Sequence, residues 1–215
     1  MSVRVHPTAL IEAGVEIGAG SSVWDNVHIR GPGTRVGRDC IVGEKTHIAY
    51  GVEIADRVKI NAFVYICTAV SIETGVMIAA GTVFTNDHYP RACEPDLATL
   101  KSSAPDEATR PTRVREGATI GARAVIGSDL AIGRFAMVGM GAVVTRSVPD
   151  FHLVVGHPAR PIGYVCRCGN PFHRFTGAAP TLPETACACG RRYRAIDGLV
   201  SEIVPAGRRE LEPAR

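Results

Sequence analysis

Four cysteines near the end of this 215-residue chain stand in two short pairs, Cys166-Arg-Cys168-Gly and Cys187-Ala-Cys189-Gly. Four thiolates can close a tetrahedral shell around one zinc ion, and the glycine after each pair suits a tight knuckle. Two disulfides or four free thiols are the alternatives, and both suit a cytoplasmic protein poorly. A structural zinc ribbon held by Cys166, Cys168, Cys187 and Cys189 is therefore expected. A catalytic metal is not, because four protein ligands leave no open position. A second concentration of reactive types is Phe84-Thr-Asn86-Asp-His88-Tyr-Pro-Arg91. His88 has the chemistry of a general base. Arg91 can hold a phosphate or carboxylate through paired hydrogen bonds, or pin its own loop by a salt bridge. Asn86 can orient a substrate with its amide or simply cap a turn. Cys67 has no histidine close by in sequence and is expected to be a structural thiol.

The elements that must position these groups follow from a period of six. Val5, Ile11, Ile17, Val23 and Ile29 form a first run; after a one-residue slip the ladder resumes at Val36 and continues through Val42, Ile48 and so on to Phe84. It returns at Val114 and runs through Ile120, Ile126, Ile132 and Val138 to Val144. Ordinary helices and strands repeat at 3.6 and 2.0, so neither produces this spacing. A stacked parallel β-helix does, with three sixes making one triangular coil of 18 residues, each too thin to bury its apolar side alone. Four places after each ladder residue stands a small or aliphatic one (Val15, Ser21, Val27, Gly33, Cys40), expected to point inward at a corner. The place directly after the ladder residue is often glycine (Gly18, Gly43, Gly121, Gly133), read as a turn conformation that other residues resist. His28 and His47 fall five after a ladder residue and so point outward. Solvated surface positions are expected for the pair, with His47 the candidate to line a groove.

The ladder breaks between Phe84 and Val114, a gap of five sixes, so a loop over 85–113 is expected to leave an otherwise continuous coil stack. Loops this long without a repeat are commonly functional. The repeat stops at Pro149. The predicted organisation is an all-β β-helix over 1–163, a small four-cysteine unit over 164–203 and a loose tail over 204–215. Hydrophobic residues make up 46% of the chain and aromatic ones only 6%, which suits many thin β-branched layers. The net charge of +3 comes from mixed acids and bases, so no nucleic-acid footprint is present. The first ten residues lack a charged region followed by an apolar run, so no signal peptide is expected. The apolar stretch 124–144 carries Asp129 and Arg134 and repeats every six, so it is read as coil rather than a membrane span. Seven cysteines, an odd number, fit a reducing cytoplasm.

The ladder, the ejected loop and the closing segment together resemble the hexapeptide-repeat acyltransferases. Within that superfamily FTNDHYPRA (84–92), MVGMGAVVTRSVP (137–149) and LVVGHPARPIGYVCRCG (153–169) look like the nucleotide-sugar N-acetyltransferases. The resemblance implies a left-handed parallel β-helix, an exception to the right-handed crossover rule. It also implies a homotrimer with acetyl-CoA in the groove between neighbouring β-helices, and a UDP- or dTDP-linked amino sugar as acceptor. Asn86 matches the asparagine of the family's FTN motif and would hold or orient the acceptor, with His88 beside it and Arg91 and His47 as further substrate contacts. Gly139, Gly141, Arg146 and Arg160 would approach the acyl-CoA. Relatives commonly carry a tyrosine and an acidic residue where this chain has Cys67 and Thr68.

Three other functions share the architecture. An O-acetyltransferase would use His88 to deprotonate a hydroxyl. A γ-type carbonic anhydrase needs two histidines close together on one coil, and the sequence has none within a few residues of each other. A non-catalytic β-helix scaffold would bind no acyl-CoA.

Overall fold

The computed structural model describes residues 2–107 and 109–204, and among them every regular element is a β-strand. The two-residue strands stack in parallel into three faces. Face 1 runs from Arg4–Val5 through Ser22–Val23, Ile41–Val42, Lys59–Ile60 and Met77–Ile78 to Thr119–Ile120 and Met137–Val138. Face 2 contains Leu10–Ile11, His28–Ile29, His47–Ile48, Tyr65–Ile66, Val83–Phe84, Val125–Ile126 and Val143–Val144. Face 3 contains Glu16–Ile17, Arg35–Val36, Glu53–Ile54, Val70–Ile72, Thr112–Val114 and Leu130–Ile132. The result is the parallel β-helix of hexapeptide repeats that the period of six predicts. The apolar stretch 124–144 is coil, and no helix among the described residues is long and apolar enough to cross a membrane.

In each strand one side chain points out and the next, the ladder residue, points in. Every ladder residue from Val23 to Val144 is buried, whereas Val5 is 41% exposed at the open N-terminal end. Each buried valine or isoleucine contributes about 1.5–3 kcal/mol, so the stack is held by many small equal layers. The second inward position is buried too, and where it is polar it is satisfied. Ser21, Thr46 and Thr112 donate to the carbonyls of Gly37, Asn61 and Gly127 at 2.8, 3.1 and 3.2 Å. The one-residue slip, at Gly31-Pro32-Gly33, corrects one expectation: Thr34 rather than Gly33 takes the inward place, donating to the Ala49 carbonyl at 3.0 Å, and Gly33 lies exposed.

The glycines directly after the ladder residues do not adopt the turn conformation expected of them. The left-handed backbone falls three places after the ladder residue, at Gly14, Gly20, Asn26, Asp39, Lys45 and their successors. The glycines directly after the ladder residue serve a different need, the close stacking of coils. A Cβ on Gly121 would lie 2.5 Å from the Met140 backbone nitrogen, and one on Gly133 2.4 Å from that of Asp150.

The excursion leaves face 2 after Phe84 and rejoins face 3 at Thr112. It doubles back on itself through bridges Asp87↔Thr109 and Cys93↔Leu100, and the Arg110 amide donates to the Asn86 carbonyl at 2.9 Å. The Tyr50 hydroxyl donates to the Ser103 carbonyl at 3.2 Å, tying the arm to the coil at the edge of face 2.

At the far end His152–Gly156 joins face 1 beside Met137–Val138, then pairs antiparallel with Ala159–Val165, which pairs with Pro171–Arg174. Face 1 therefore runs unbroken through residue 163 into the cysteine segment. A separate antiparallel sheet of Leu182–Ala186, Arg192–Ile196 and Leu199–Ile203 follows. Of the tail expected over 204–215, residues 205–215 lie outside the described residues.

Candidate active site

The outward residues of face 2 make a column that the sequence, read in sixes, hides. His28 pairs directly with His47, and His47 with Tyr65, because the coil length of 18 becomes 19 across the Gly31–Gly33 slip. The rings of His28 and His47 meet edge-to-face at 4.9 Å, and His47 stacks on Tyr65 at 5.4 Å with 10° between planes. The two histidines are half-buried rather than solvated: His47 lies between the rings of His28 and Tyr65, and His28 between the His47 ring and the strand position of Leu10. His28 Nε2 lies 2.7 Å from Glu12 Oε1, and the Glu12 carboxylate also accepts the Gly31 amide at 3.1 Å. Those two bonds, the backbone one first, hold Glu12 below the usual carboxylate range. Burial, reinforced by the charges of His28 and Arg30, holds His47 below the usual histidine range.

The folded-back arm covers the lower part of this column and closes a cavity of about 560 Å³. Its lining brings together four residues singled out from the sequence, Asn86, His88, Arg91 and His47. It adds Arg30, Tyr50, Tyr65, Lys101 and Asp106, which sequence reasoning missed. The coil-borne residues carried one signal, the register of 18 or 19 that stacks 28, 47 and 65; the arm residues carried none, because their approach depends on how the arm doubles back. Arg30 lies over the Tyr50 ring at 5.0 Å and beside Glu12 at 3.5 Å. His88 is exposed, its ring edge-on to Tyr89 at 4.5 Å, and the Arg91 guanidinium donates to the Pro90 carbonyl at 3.0 Å. Arg30, Arg91 and Lys101 give the cavity three cationic groups, the means of holding an anionic ligand such as a phosphate.

The other candidates lie elsewhere. Cys67 is buried, and burial pushes its thiol up to about 12, so it is a neutral structural group. None of Gly139, Gly141, Arg146 and Arg160 lines the cavity. Gly139 has a packing reason to lack a side chain, since a Cβ there would lie 2.7 Å from Val155 Cγ1. Gly141 is a left-handed corner residue facing open space. Arg146 and Arg160 are exposed, and the Arg160 guanidinium donates to the Ala159 carbonyl at 2.9 Å.

The four cysteines do converge. Their sulfurs all lie within 4.8 Å of one another. Cys166 and Cys189 are 3.5 Å apart, and Cys168 and Cys187 3.7 Å. Zn–S bonds of about 2.3 Å in a tetrahedron place sulfurs about 3.8 Å apart, so the spacing fits that ion. It does not fit disulfides, and all seven cysteines are free thiols. The two knuckles are built alike: the Gly169 amide donates to the Cys166 carbonyl at 2.8 Å, and the Gly190 amide to the Cys187 carbonyl at 2.9 Å. Asn170 Nδ2 donates to the Cys168 sulfur at 3.5 Å and the Cys168 amide to that of Cys166 at 3.4 Å, contacts suited to thiolates.

The sequence model described as "Hexapeptide repeat of succinyl-transferase" matches residues 33–67 and 111–146, on both sides of the arm. The chain is 45% identical over 93 residues to the dTDP-3-amino-3,6-dideoxy-alpha-D-galactopyranose 3-N-acetyltransferase of Aneurinibacillus thermoaerophilus, across 43% of this chain and 45% of the relative. It is 27% identical over 172 residues to the bifunctional protein GlmU of Alkalilimnicola ehrlichii, across 73% of this chain and 37% of the relative. The chain thus spans less than half the length of these curated relatives. Among solved structures, AntD, an N-acyltransferase from Bacillus cereus in complex with dTDP and 3-hydroxybutyryl-CoA, aligns with a TM-score of 0.47 at 19% identity, covering 77% of this chain and 81% of that one. The acetyltransferase domain of PglB from Neisseria gonorrhoeae aligns with a TM-score of 0.46 at 21% identity, covering 74% and 57%. With its ladder of sixes folded as stacked coils and the repeat matched on either side of the arm, the chain is similar to the hexapeptide-repeat proteins.

Proposed function

We propose that the chain is an acyl-CoA-dependent N-acetyltransferase acting on the amino group of a nucleotide-linked amino sugar. The observation that carries the reading is the cavity between face 2 and the arm, which sets Arg30, Arg91 and Lys101 beside His47, Tyr65 and Asn86. Three cations suit the diphosphate of a sugar nucleotide, and the carboxamide of Asn86 suits a sugar hydroxyl or the reacting amine. The name of the A. thermoaerophilus relative supplies the substrate class. Transfer is direct, in a ternary complex. The amine lone pair attacks the thioester carbonyl, a tetrahedral oxyanion forms, the C–S bond breaks and the CoA thiolate leaves. What the protein must supply is alignment of the two substrates, exclusion of water and a place for the amine proton.

In this reading the donor lies near the last coil, with Gly141, Arg146 and Arg160 on the acyl-CoA and Gly139 shaping the coil behind it. Three copies pack so that grooves form between neighbouring β-helices. Cys166, Cys168, Cys187 and Cys189 hold a structural zinc, and a reducing cytoplasm suits the seven free thiols. Thiol release from acetyl-CoA, measured against a panel of UDP- and dTDP-amino sugars, tests the activity. Turnover with an amine supports it; turnover only with a hydroxylated acceptor, or none at all, sinks it.

A further inference from the structure

We infer that His47 is the base that takes the amine proton during acyl transfer, and that Glu12 and His28 are positioning residues that fix it for the task. The inference rests on the acyltransfer reading above and assigns a role to a ring on the coil that the loop histidine, His88, was expected to fill.

His47 sits on the strand His47–Ile48, hydrogen-bonded on both sides in the stack, with His28 edge-on to one side of its ring and Tyr65 stacked on the other. A base must hold its lone pair within hydrogen-bond reach of the proton it takes, and groups on packed elements hold position better than groups on loops. His88 stands exposed on the arm, where its ring contact among the described residues is with the neighbouring Tyr89. Behind His47, the His28 ring is fixed by Glu12 at 2.7 Å, and Glu12 by the Gly31 amide and the Arg30 guanidinium at 3.1 and 3.5 Å. The chain Glu12–His28–His47 thus leads from the rim of face 2 into the cavity that holds Asn86. Around His47 stand His28, Arg30 and Glu12 from the coils above and Tyr65 from the coil below, and the cavity it lines is shared with Asp87, His88, Arg91, Lys101 and Asp106 of the arm. Its proton affinity lies below that of an ordinary histidine, so the ring is neutral and able to accept at neutral pH.

The amine nitrogen forms its bond to the carbonyl carbon and becomes cationic; His47 takes one N–H proton; the tetrahedral intermediate collapses with its electron pair leaving on sulfur. The products are the amide, the CoA thiolate and protonated His47, which returns its proton to the thiolate or to water.

The test is the pH dependence of kcat with saturating acetyl-CoA and an accepted amino sugar. For the unaltered protein kcat rises with pH through one ionisation lying below the ordinary histidine range. His47→Gln is expected to lose this limb and to lower kcat about 100-fold or more, with KM for both substrates moving far less. Glu12→Gln, which removes a charge that raises the proton affinity of His47, is expected to keep the limb and shift it to lower pH. His88→Gln, which alters the lining of the cavity, is expected to keep the limb whatever it does to KM. His47→Asn, with a thermal melt of each variant, separates chemistry from folding. Full rate and an unchanged limb in either folded His47 variant, or loss of the limb in His88→Gln instead, overturns the assignment while leaving the acyltransfer reading intact. Absence of turnover with any amine in the unaltered protein overturns both.

Discussion

The ring of Phe151, where the chain leaves the last coil, lies 5.5 Å from the ring of Tyr193 in the cysteine segment. On one side Phe151 stacks on Phe135 of the β-helix at 5.5 Å; on the other Tyr193 stacks on Phe172 at 4.5 Å. The Tyr193 hydroxyl lies 3.0 Å from the Cys166 sulfur. Aromatic packing and the thiol cluster are therefore one body, with Cys166 and Cys187 buried in it. A core this small would need the proposed zinc to hold its shape.

The first prediction follows. Metal analysis should find about one zinc per chain, and a strong chelator should abolish the near-ultraviolet dichroism of the Phe151–Phe172–Tyr193 cluster while the far-ultraviolet signal of the β-helix survives. Cys187→Ser should reproduce the chelated state. A chain free of zinc and indifferent to chelator would refute the ribbon.

The two classes of glycine should respond differently to alanine. Gly121→Ala drives a Cβ to 2.5 Å from the backbone of the next coil, which cannot yield without separating the layers. A loss of about 3 kcal/mol, at the upper end of overpacking costs, is expected. Gly75 has a φ of +71° and nothing within 4 Å of its missing Cβ, and its counterparts Asp39, Lys45 and Arg57 already carry side chains in that conformation. Gly75→Ala should cost only about 1 kcal/mol. Urea denaturation of the two variants side by side measures the difference.

What the sequence discloses and what it hides has the same physical source. The ladder from Val23 to Val144 is legible because each inward position is dictated by burial within its own coil, and burial leaves a mark on residue type. The exit of the arm after Phe84 is legible because the mark stops there. Contacts between coils leave a weaker mark. His28 and His47 look unrelated at 19 residues apart until the Gly31–Gly33 insertion is placed at a corner. The same insertion moves the inward role from Gly33 to Thr34. Lys101 and Ser103 approach face 2 only because the arm folds back, and no periodicity encodes that. Nor does the period of six anticipate the antiparallel strand Ala159–Val165, whose partner lies in a hairpin rather than one coil below.

His152 gives a prediction about pH. It is 3% exposed, its Nδ1 lies 2.9 Å from the Asp150 carbonyl, and Tyr164 and Phe175 pack against its ring. Burial is the dominant influence and holds its proton affinity below that of the unfolded chain. The folded state thus favours neutral imidazole. Its contribution to stability is complete above the unfolded histidine pKa of about 6.5 and is lost as pH falls from there through the lower folded value. Thermal melts should show a decline in Tm as pH drops below about 6.5, and His152→Leu should flatten that part of the curve. A wild-type curve that is already flat across this range would contradict the assignment.

Cys67 should be chemically quiet. With its thiol pushed up to about 12 by burial, thiolate is scarce at any working pH. Iodoacetamide at pH 8 should leave Cys67 unmodified in the folded protein by peptide mass analysis, and Cys67→Ala should change kcat less than about twofold. Rapid labelling, or a large fall in rate with the fold retained, would make it a participant.

The cationic lining yields the sharpest kinetic expectation. If Arg30 and Lys101 hold the phosphates of the acceptor, each removes its share of binding without touching the reacting atoms. Arg30→Gln and Lys101→Gln should then each raise KM for the sugar nucleotide about tenfold, the loss of a charge-assisted bond worth about 1.4 kcal/mol, with kcat and KM for acetyl-CoA little changed. Arg160→Gln, outside the cavity, should show the opposite pattern, raising KM for acetyl-CoA and leaving that of the acceptor. Raising ionic strength should weaken acceptor binding to the unaltered protein more than to Arg30→Gln, because less charge remains to screen. Arg30 also braces Glu12 at 3.5 Å, so Arg30→Lys is the informative companion. It keeps the charge but not the planar guanidinium, and recovery of KM with a displaced kcat pH profile would separate the phosphate-binding role of Arg30 from its effect on the Glu12–His28–His47 column.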